Sequence, residues 1–223
     1  MPINHSHIKF FKKTFKPFDY ICVFKMKPKI NIDSIPMHTE YSDAQLLEIF
    51  HAGKTRDKER VFGIIVKRYS RSLYSYLRHI LVSHDDTDDV LQETFIKAWG
   101  NLGTVKDGAA LKNWLYRIAS NIAINHLRQK ASAASVSIDD YDVADELDTR
   151  EEMEKMDLMS RLTSEAIRRL PKKQQMVFTM KHFEGLKYSQ ISEILDTSEG
   201  ALKASYHIAV EKIKSYVEEK IKE

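Results

Sequence analysis

The chain has 223 residues, 43% of them hydrophobic and 30% charged, the balance of a water-soluble globular protein rather than a disordered or membrane-embedded one. Its net charge is only +3, and residues 1–30 hold seven lysines against the single acid Asp19, so the remainder is slightly acidic and cannot coat nucleic acid by charge alone. The single Cys22 excludes an internal disulfide and a cysteine zinc site, which suits a reducing cytoplasm.

The longest apolar candidate near the start, Tyr20 to Phe24, is far too short for a bilayer span, so no membrane insertion is expected. Lys9, Lys12, Lys13 and Lys16 are not followed by the sustained apolar core of a secretory signal. Residues 1–38, interrupted by Pro17, Pro28 and Pro36, read as an extension: either a disordered tail or an over-long start, since Met26 and Met37 offer later ones.

Helix signals then recur while glycine is scarce, which predicts an all-α fold. Ser42-Asp43-Ala44-Gln45 has capping-box spacing and Gly53 closes that helix. A second helix over 57–78 stripes Val61, Phe62, Ile65, Tyr69, Leu73 and Tyr76 on one side. A third, over 87–99, turns Val90, Leu91, Phe95, Ala98 and Trp99 inward, and Gly100 to Gly108 reads as a loop. A fourth, over 109–130, buries Leu111, Trp114, Leu115, Ile118 and Ile122. These predict one helical bundle over residues 39–130. Residues 131–150, rich in Ala, Ser and Asp without an apolar period, predict a flexible acidic linker. A smaller helical domain, 151–223, opens with a helix striped by Met156, Met159, Ala166, Ile167 and Leu170 and ending at Pro171. Helices over 172–184, closed by Gly185, and over Tyr188 to Leu195 follow; after Asp196, Thr197 and Ser198 a long helix runs to the end.

The last two helices, short then long across a three-residue turn, have helix-turn-helix dimensions. Ser198 is placed as N-cap, and Leu202, Tyr206, Ala209, Ile213 and Tyr216 form the packed face. Glu199, Lys203, Ser205, His207 and Lys214 are left outward, the leading part of a face that enters a major groove. The bland alternative is an ordinary helical hairpin. Asp85, Asp86, Asp88, Asp89 and Glu93 crowd the start of the third helix, where carboxylates complement the helix dipole; no EF-hand spacing or histidine cluster supports a metal site. Asp89, Gln92 and Glu93 stand at i, i+3 and i+4, a polar ridge able to dock on another protein's helix. Asn113, Tyr116, Arg117, Ser120, Asn121, Ile124 and Arg128 are predicted to face away from the fourth helix's core stripe, and such groups can stack on and hydrogen-bond to unstacked bases. Both faces could equally be solvated helix sides. No phosphate loop, nucleophile elbow or spaced histidine set is present, His5 and His7 being an isolated pair, so neither catalytic residue, metal nor cofactor is expected.

The order of these signals carries a resemblance. Asp88-Asp89-Val90-Leu91-Gln92-Glu93-Thr94-Phe95-Ile96-Lys97-Ala98-Trp99 resembles the region 2 signature of sigma factors, and Leu111 to Asn121 the helix after it in the extracytoplasmic-function group. Leu170-Pro171, Phe183-Glu184-Gly185, Tyr188 and Ser198 to Lys203 resemble region 4. The resemblance implies a promoter-recognition subunit, not an enzyme, whose partners are core RNA polymerase, promoter DNA and an anti-sigma factor. It implies core-polymerase binding by Asp89, Gln92 and Glu93, and capture of the melted −10 strand by Asn113, Tyr116, Arg117, Ser120, Asn121 and Arg128 with the loop before them. It implies −35 duplex recognition by Ser198, Glu199, Lys203, Ser205 and His207, with the acidic linker threaded toward the RNA exit path. Ser205, Ile208 and Val210 depart from arginines common in the family, and Asp196 stands where glycine is usual in the turn. Asn125 replaces a usual aspartate, with no consequence that follows from its chemistry. The rival readings are a stand-alone helix-turn-helix regulator and a metal-dependent nuclease resting on the acidic cluster.

Overall fold

The computed structural model describes residues 41–134 and 158–222, Val82 excepted. The expected extension and nearly all of the expected linker lie outside the described residues. Among those residues eight α-helices and one 3-10 turn carry the chain, with no strand: α1 Asp43–Ala52, α2 Thr55–Leu81, α3 His84–Asn101, α4 Gly108–Ala133, α5 Leu158–Arg168, α6 Lys172–His182, α7 Tyr188–Leu195 and α8 Glu199–Lys222. Among them no helix is long and apolar enough to cross a membrane.

The described chain divides into two compact units, and α2, α3 and α4 each contribute to both. In the first unit, residues 41–68 and 92–111, α1 starts on the predicted capping box: Gln45 N–H donates to Ser42 Oγ at 3.3 Å and Ser42 N–H to Gln45 Oε1 at 2.8 Å. Its core is aromatic. Phe62 meets Phe95 and Trp99 edge-on at centroid distances of 6.3 and 5.1 Å, and Trp99 meets Phe50 at 6.1 Å, geometries that favour ring edge against ring face. The predicted loop over 100–108 is mostly helical. Asn101 Nδ2 donates back to Lys97 O at 2.8 Å, Leu102 is fully buried, and a 3-10 turn over Leu102–Thr104 leaves only Val105 to Asp107 between α3 and α4. Burial of Leu102 is what a local reading of the two glycines misses.

The second unit comprises residues 69–91 and 112–222. Tyr76 is fully buried, with its hydroxyl 2.8 Å from Ser120 Oγ and its ring 5.2 Å from Tyr116. Burial pushes its phenol well above the ordinary range, opposed by the Ser120 hydrogen bond. Lys130 forms an ion pair with Asp86, whose other oxygen is 3.0 Å from His126 Nε2, tying α3's start to α4's end. In α5 to α8 the core gathers Ile167, Leu170, Phe178 and Ala209 with Tyr206, Val210 and Ile213, extended by Leu162, Ala166 and Val217. The predicted packed face of α8 is borne out. Met159, expected on the α5 stripe, is instead 51% exposed because it lies in the helix's first turn, beyond the reach of that core, and Met156 lies outside the described residues.

Candidate nucleic-acid interface

Three surfaces were expected to carry function. On α3, Asp89 and Glu93 are exposed and Gln92 is half-buried, while Leu91 and Phe95 face inward. Glu93 pairs with Lys97 at 2.7 Å, an exposed i,i+4 contact that a competing partner can exchange at little cost. The acidic cluster is already employed at the helix start: Asp86 binds Lys130 and His126, and its N–H donates to Ser83 Oγ at 3.3 Å. Among the described residues no group of three His, Cys, Asp or Glu side chains could hold a metal ion.

On α4 the expected display of side chains is only half realised. Arg117, Asn121 and Arg128 are exposed. Tyr116 and Ser120 are fully buried and Asn113 is 9% exposed, whereas Trp114 and Ile118, expected in the core, are half-buried. Ser120 turns toward Tyr76, as above, and donates to Tyr116 O at 2.7 Å. The other two are covered by residues far along the chain. Tyr116 OH donates to Glu184 on the segment joining α6 to α7. Asn113 Nδ2 donates to Glu193 Oε2 at 2.9 Å, and its Oδ1 accepts from Gln190 Nε2 at 3.3 Å, both partners on α7. Burial pushes the Tyr116 phenol well above its usual range and the bond to Glu184 pushes the same way.

Beside these contacts Gln175 of α6 donates through Nε2 to His79 O at 2.7 Å, capping a carbonyl in the last turn of α2. The His79 ring stacks on Phe183 at 4.3 Å with planes 5° apart. Burial, with the Arg78 charge beside it, holds the His79 imidazole below its ordinary pKa. Sequence reasoning missed Gln175, Glu184, Gln190 and Glu193 as partners of α2 and α4: they lie 68 to 96 residues from the groups they bind, and no local period reports such a pairing.

The helix-turn-helix is built as expected. α7 ends on Asp196 at φ 49°, ψ 52°, the left-handed conformation that Asp tolerates better than most residues. Ser198 Oγ accepts from Ala201 N–H at 3.4 Å, capping α8. Beyond the cap Glu199, Lys203 and His207 are exposed and Ser205 half-buried. Lys203 Nζ stands 4.0 Å from Glu199 and 5.8 Å over the Tyr188 ring, whose face Lys181 also approaches at 5.0 Å. Ile208, on the same outward side, is 46% exposed.

Comparison with known proteins places this architecture. Residues 65–133 match the family model for sigma-70 region 2 and residues 160–213 that for sigma-70 region 4. The ECF RNA polymerase sigma-E factor of Haemophilus influenzae is 30% identical over 82% of this chain and 98% of its own length. The RNA polymerase sigma-H factor of Pseudomonas aeruginosa is 28% identical over 79% of this chain and 94% of its own. In fold, the chain resembles RpoE of Bartonella quintana, solved with the anti-sigma factor NepR, at a TM-score of 0.57 and 19% identity over 70% of this chain and 96% of that one. CnrH, solved with the cytosolic domain of CnrY, gives a TM-score of 0.53 at 19% identity over 80% of this chain and 98% of that one. With region 2 followed by a region 4 that contains the capped helix-turn-helix, the chain belongs to the extracytoplasmic-function group of the sigma-70 family and is an RNA polymerase sigma factor.

Proposed function

We propose that this sigma factor divides its work among three surfaces: α3 for core RNA polymerase, α4 for the separated −10 strand and α8 for the −35 duplex. The observation that carries the reading is the capped helix-turn-helix with its outward Glu199, Lys203 and His207, following a region 2 whose α3 ridge is free of its own core. Asp89, Gln92 and Glu93 bind a helical element of the polymerase. Arg117, Asn121 and Arg128 meet the strand directly, with Asn113 and Tyr116 joining once released from α7 and the segment before it. Ser120 contributes from within, by fixing Tyr76 and the α4 backbone. Ser198, Glu199, Lys203, Ser205 and His207 approach the duplex. The near-neutral charge of the chain supports a division in which polymerase supplies most of the affinity and sigma supplies the address.

Members of this family are not enzymes, and we assign this chain no catalytic step. It works in the cytoplasm, where polymerase and promoters are. Apart from residues 131–134, the expected acidic linker lies outside the described residues. Control by an anti-sigma factor is supported by the two fold relatives, one solved with an anti-sigma factor and the other with a cytosolic domain. Co-expression with products of neighbouring genes should yield a complex that blocks transcription; absence of any such complex would leave control to abundance. The test of the function itself is run-off transcription over a genomic library with sigma-stripped bacterial core polymerase. Discrete start sites are expected only when this chain is added, and their absence refutes the reading.

A further inference from the structure

We infer that α1 is a brace that sets the loop between α3 and α4 for base selection, with His51 as its positioning residue. The inference rests on the assignment of the −10 strand to α4 and the loop before it. α1 lies outside the residues that match sigma-70 region 2, 65–133, yet it holds that loop at both ends. At one end His51 Nε2 stands 2.9 Å from Val105 O. A carbonyl oxygen can only accept, so Nε2 carries the proton and donates. At the other end Gly108 is buried against the first turn of α1, where an added Cβ would come within 2.7 Å of Asp43 C. Ala44 and His51 are seven residues apart, about 10 Å along a helix. Three extended residues cover about the same distance, so the chain from Val105 to Gly108 lies along α1.

The roll of α1 that aims His51 at the loop is fixed by its apolar side. Leu46, Leu47 and Phe50 are buried, and Phe50 meets Trp99 of α3 edge-on at 6.1 Å, which turns the next residue, His51, outward. Asp43 adds an ion pair with Arg68 of α2. Within the loop Val105 is buried and its N–H donates to Leu102 O at 3.1 Å. Asp107 turns back toward α4, accepting from Ala109 N–H at 2.9 Å. Lys106 is exposed between them, placed to meet a phosphate or a base edge. The His51 ring is itself exposed, so water can replace it on Val105 O at small cost in stability. What the bond supplies is orientation. The Val105–Lys106 peptide is one rigid plane, and fixing its carbonyl fixes where Lys106 begins. A base is selected only by groups held in register with its edge, whereas phosphate attraction tolerates displacement. Loss of His51 should therefore erode selectivity before affinity.

The full-length chain with core polymerase, offered a pool of random-sequence single-stranded DNA, tests this by sequencing of the bound fraction. The wild type should enrich a preferred sequence over core polymerase alone. His51→Phe keeps a ring beside Phe50 and removes the donor. It should flatten that preference about fivefold, the range of one lost hydrogen bond, while total DNA bound and co-purification with core change less than about twofold. His51→Gln restores an Nε2 donor at similar reach and should recover the preference. In the chain alone, the Val105 amide should exchange with solvent about fivefold faster in His51→Phe and at the native rate in His51→Gln, which separates positioning from direct contact of His51 with DNA. His51→Ala is read in place of His51→Phe if the latter loses helicity. An unchanged preference in the donor-less variant, or failure of His51→Gln to restore a lost one, overturns the brace and leaves the strand assignment intact. No preference in the wild type above core alone, or binding that Arg117→Ala with Arg128→Ala leaves untouched, overturns the strand assignment and the inference with it.

Discussion

Gly108 opens α4 where an added Cβ would come within 2.2 Å of Ala44 N and 2.5 Å of Ala44 Cα. Backbone cannot swing aside as a side chain can, so Gly108→Ala must push α1 away. It is expected to destabilise the chain by about 1–3 kcal/mol, as overpacking does, read as a lower midpoint in urea. Asp196 poses the opposite case. Its φ of 49° strains any residue with a Cβ, and Asp196→Gly should stabilise by about 1 kcal/mol, visible as a raised melting temperature. His79 adds a pH dependence. Its imidazole is held below the ordinary value by burial, Arg78 assisting. The folded chain therefore binds that proton less readily than the unfolded one, so its contribution is full above about pH 6.5 and declines as pH falls through that value toward the depressed one. His79→Phe should keep the stack on Phe183 and flatten this part of the stability profile, measured as melting temperature against pH for both chains.

At the scale of helices, apolar spacing and exposure agree closely for α8. Leu202 and Ala209 are buried, Tyr206 and Ile213 pack on them, and the groups between lie outward. The same agreement on α3 supports the ridge, since Gln92 and Glu93 can change without disturbing Leu91 or Phe95. Gln92→Lys with Glu93→Lys is expected to abolish co-purification with core polymerase while leaving helicity unchanged; retained association would sink the α3 assignment. The outward side of α8 carries Lys203 beside the uncharged Ser205 and Ile208. Few cations are left to displace counterions, so a plot of log affinity for duplex DNA against log salt should be shallow, with a slope of magnitude about 2–3. A slope several times steeper would reveal phosphate contacts from elsewhere in the chain. α4 is the helix where spacing misleads, because a single period cannot distinguish a face turned to water from one covered by distant residues.

For the molecule as a whole, the proposed division of labour leaves most of the affinity to polymerase and the address to this chain. Core polymerase should therefore raise the affinity of the chain for single-stranded DNA beyond what the chain achieves alone, by linkage. Comparison of strand affinity with and without core enzyme checks this, and equal affinities would argue against the proposed division.

The helices, the capping box at Ser42, the three-residue turn around Asp196 and the inward faces of α2 and α8 were legible in the sequence, because caps, φ preferences and apolar periods act between residues within a turn or two of one another. The ridge on α3 was legible for the same reason. Burial of Asn113, Tyr116 and Ser120, the stacking of His79 on Phe183 and the closure of the Gly100 to Gly108 stretch around Leu102 were decided only by the tertiary structure. Each depends on a partner brought close by the path of the chain, and a hydrogen bond or buried ring pays no regard to the number of residues between its two halves.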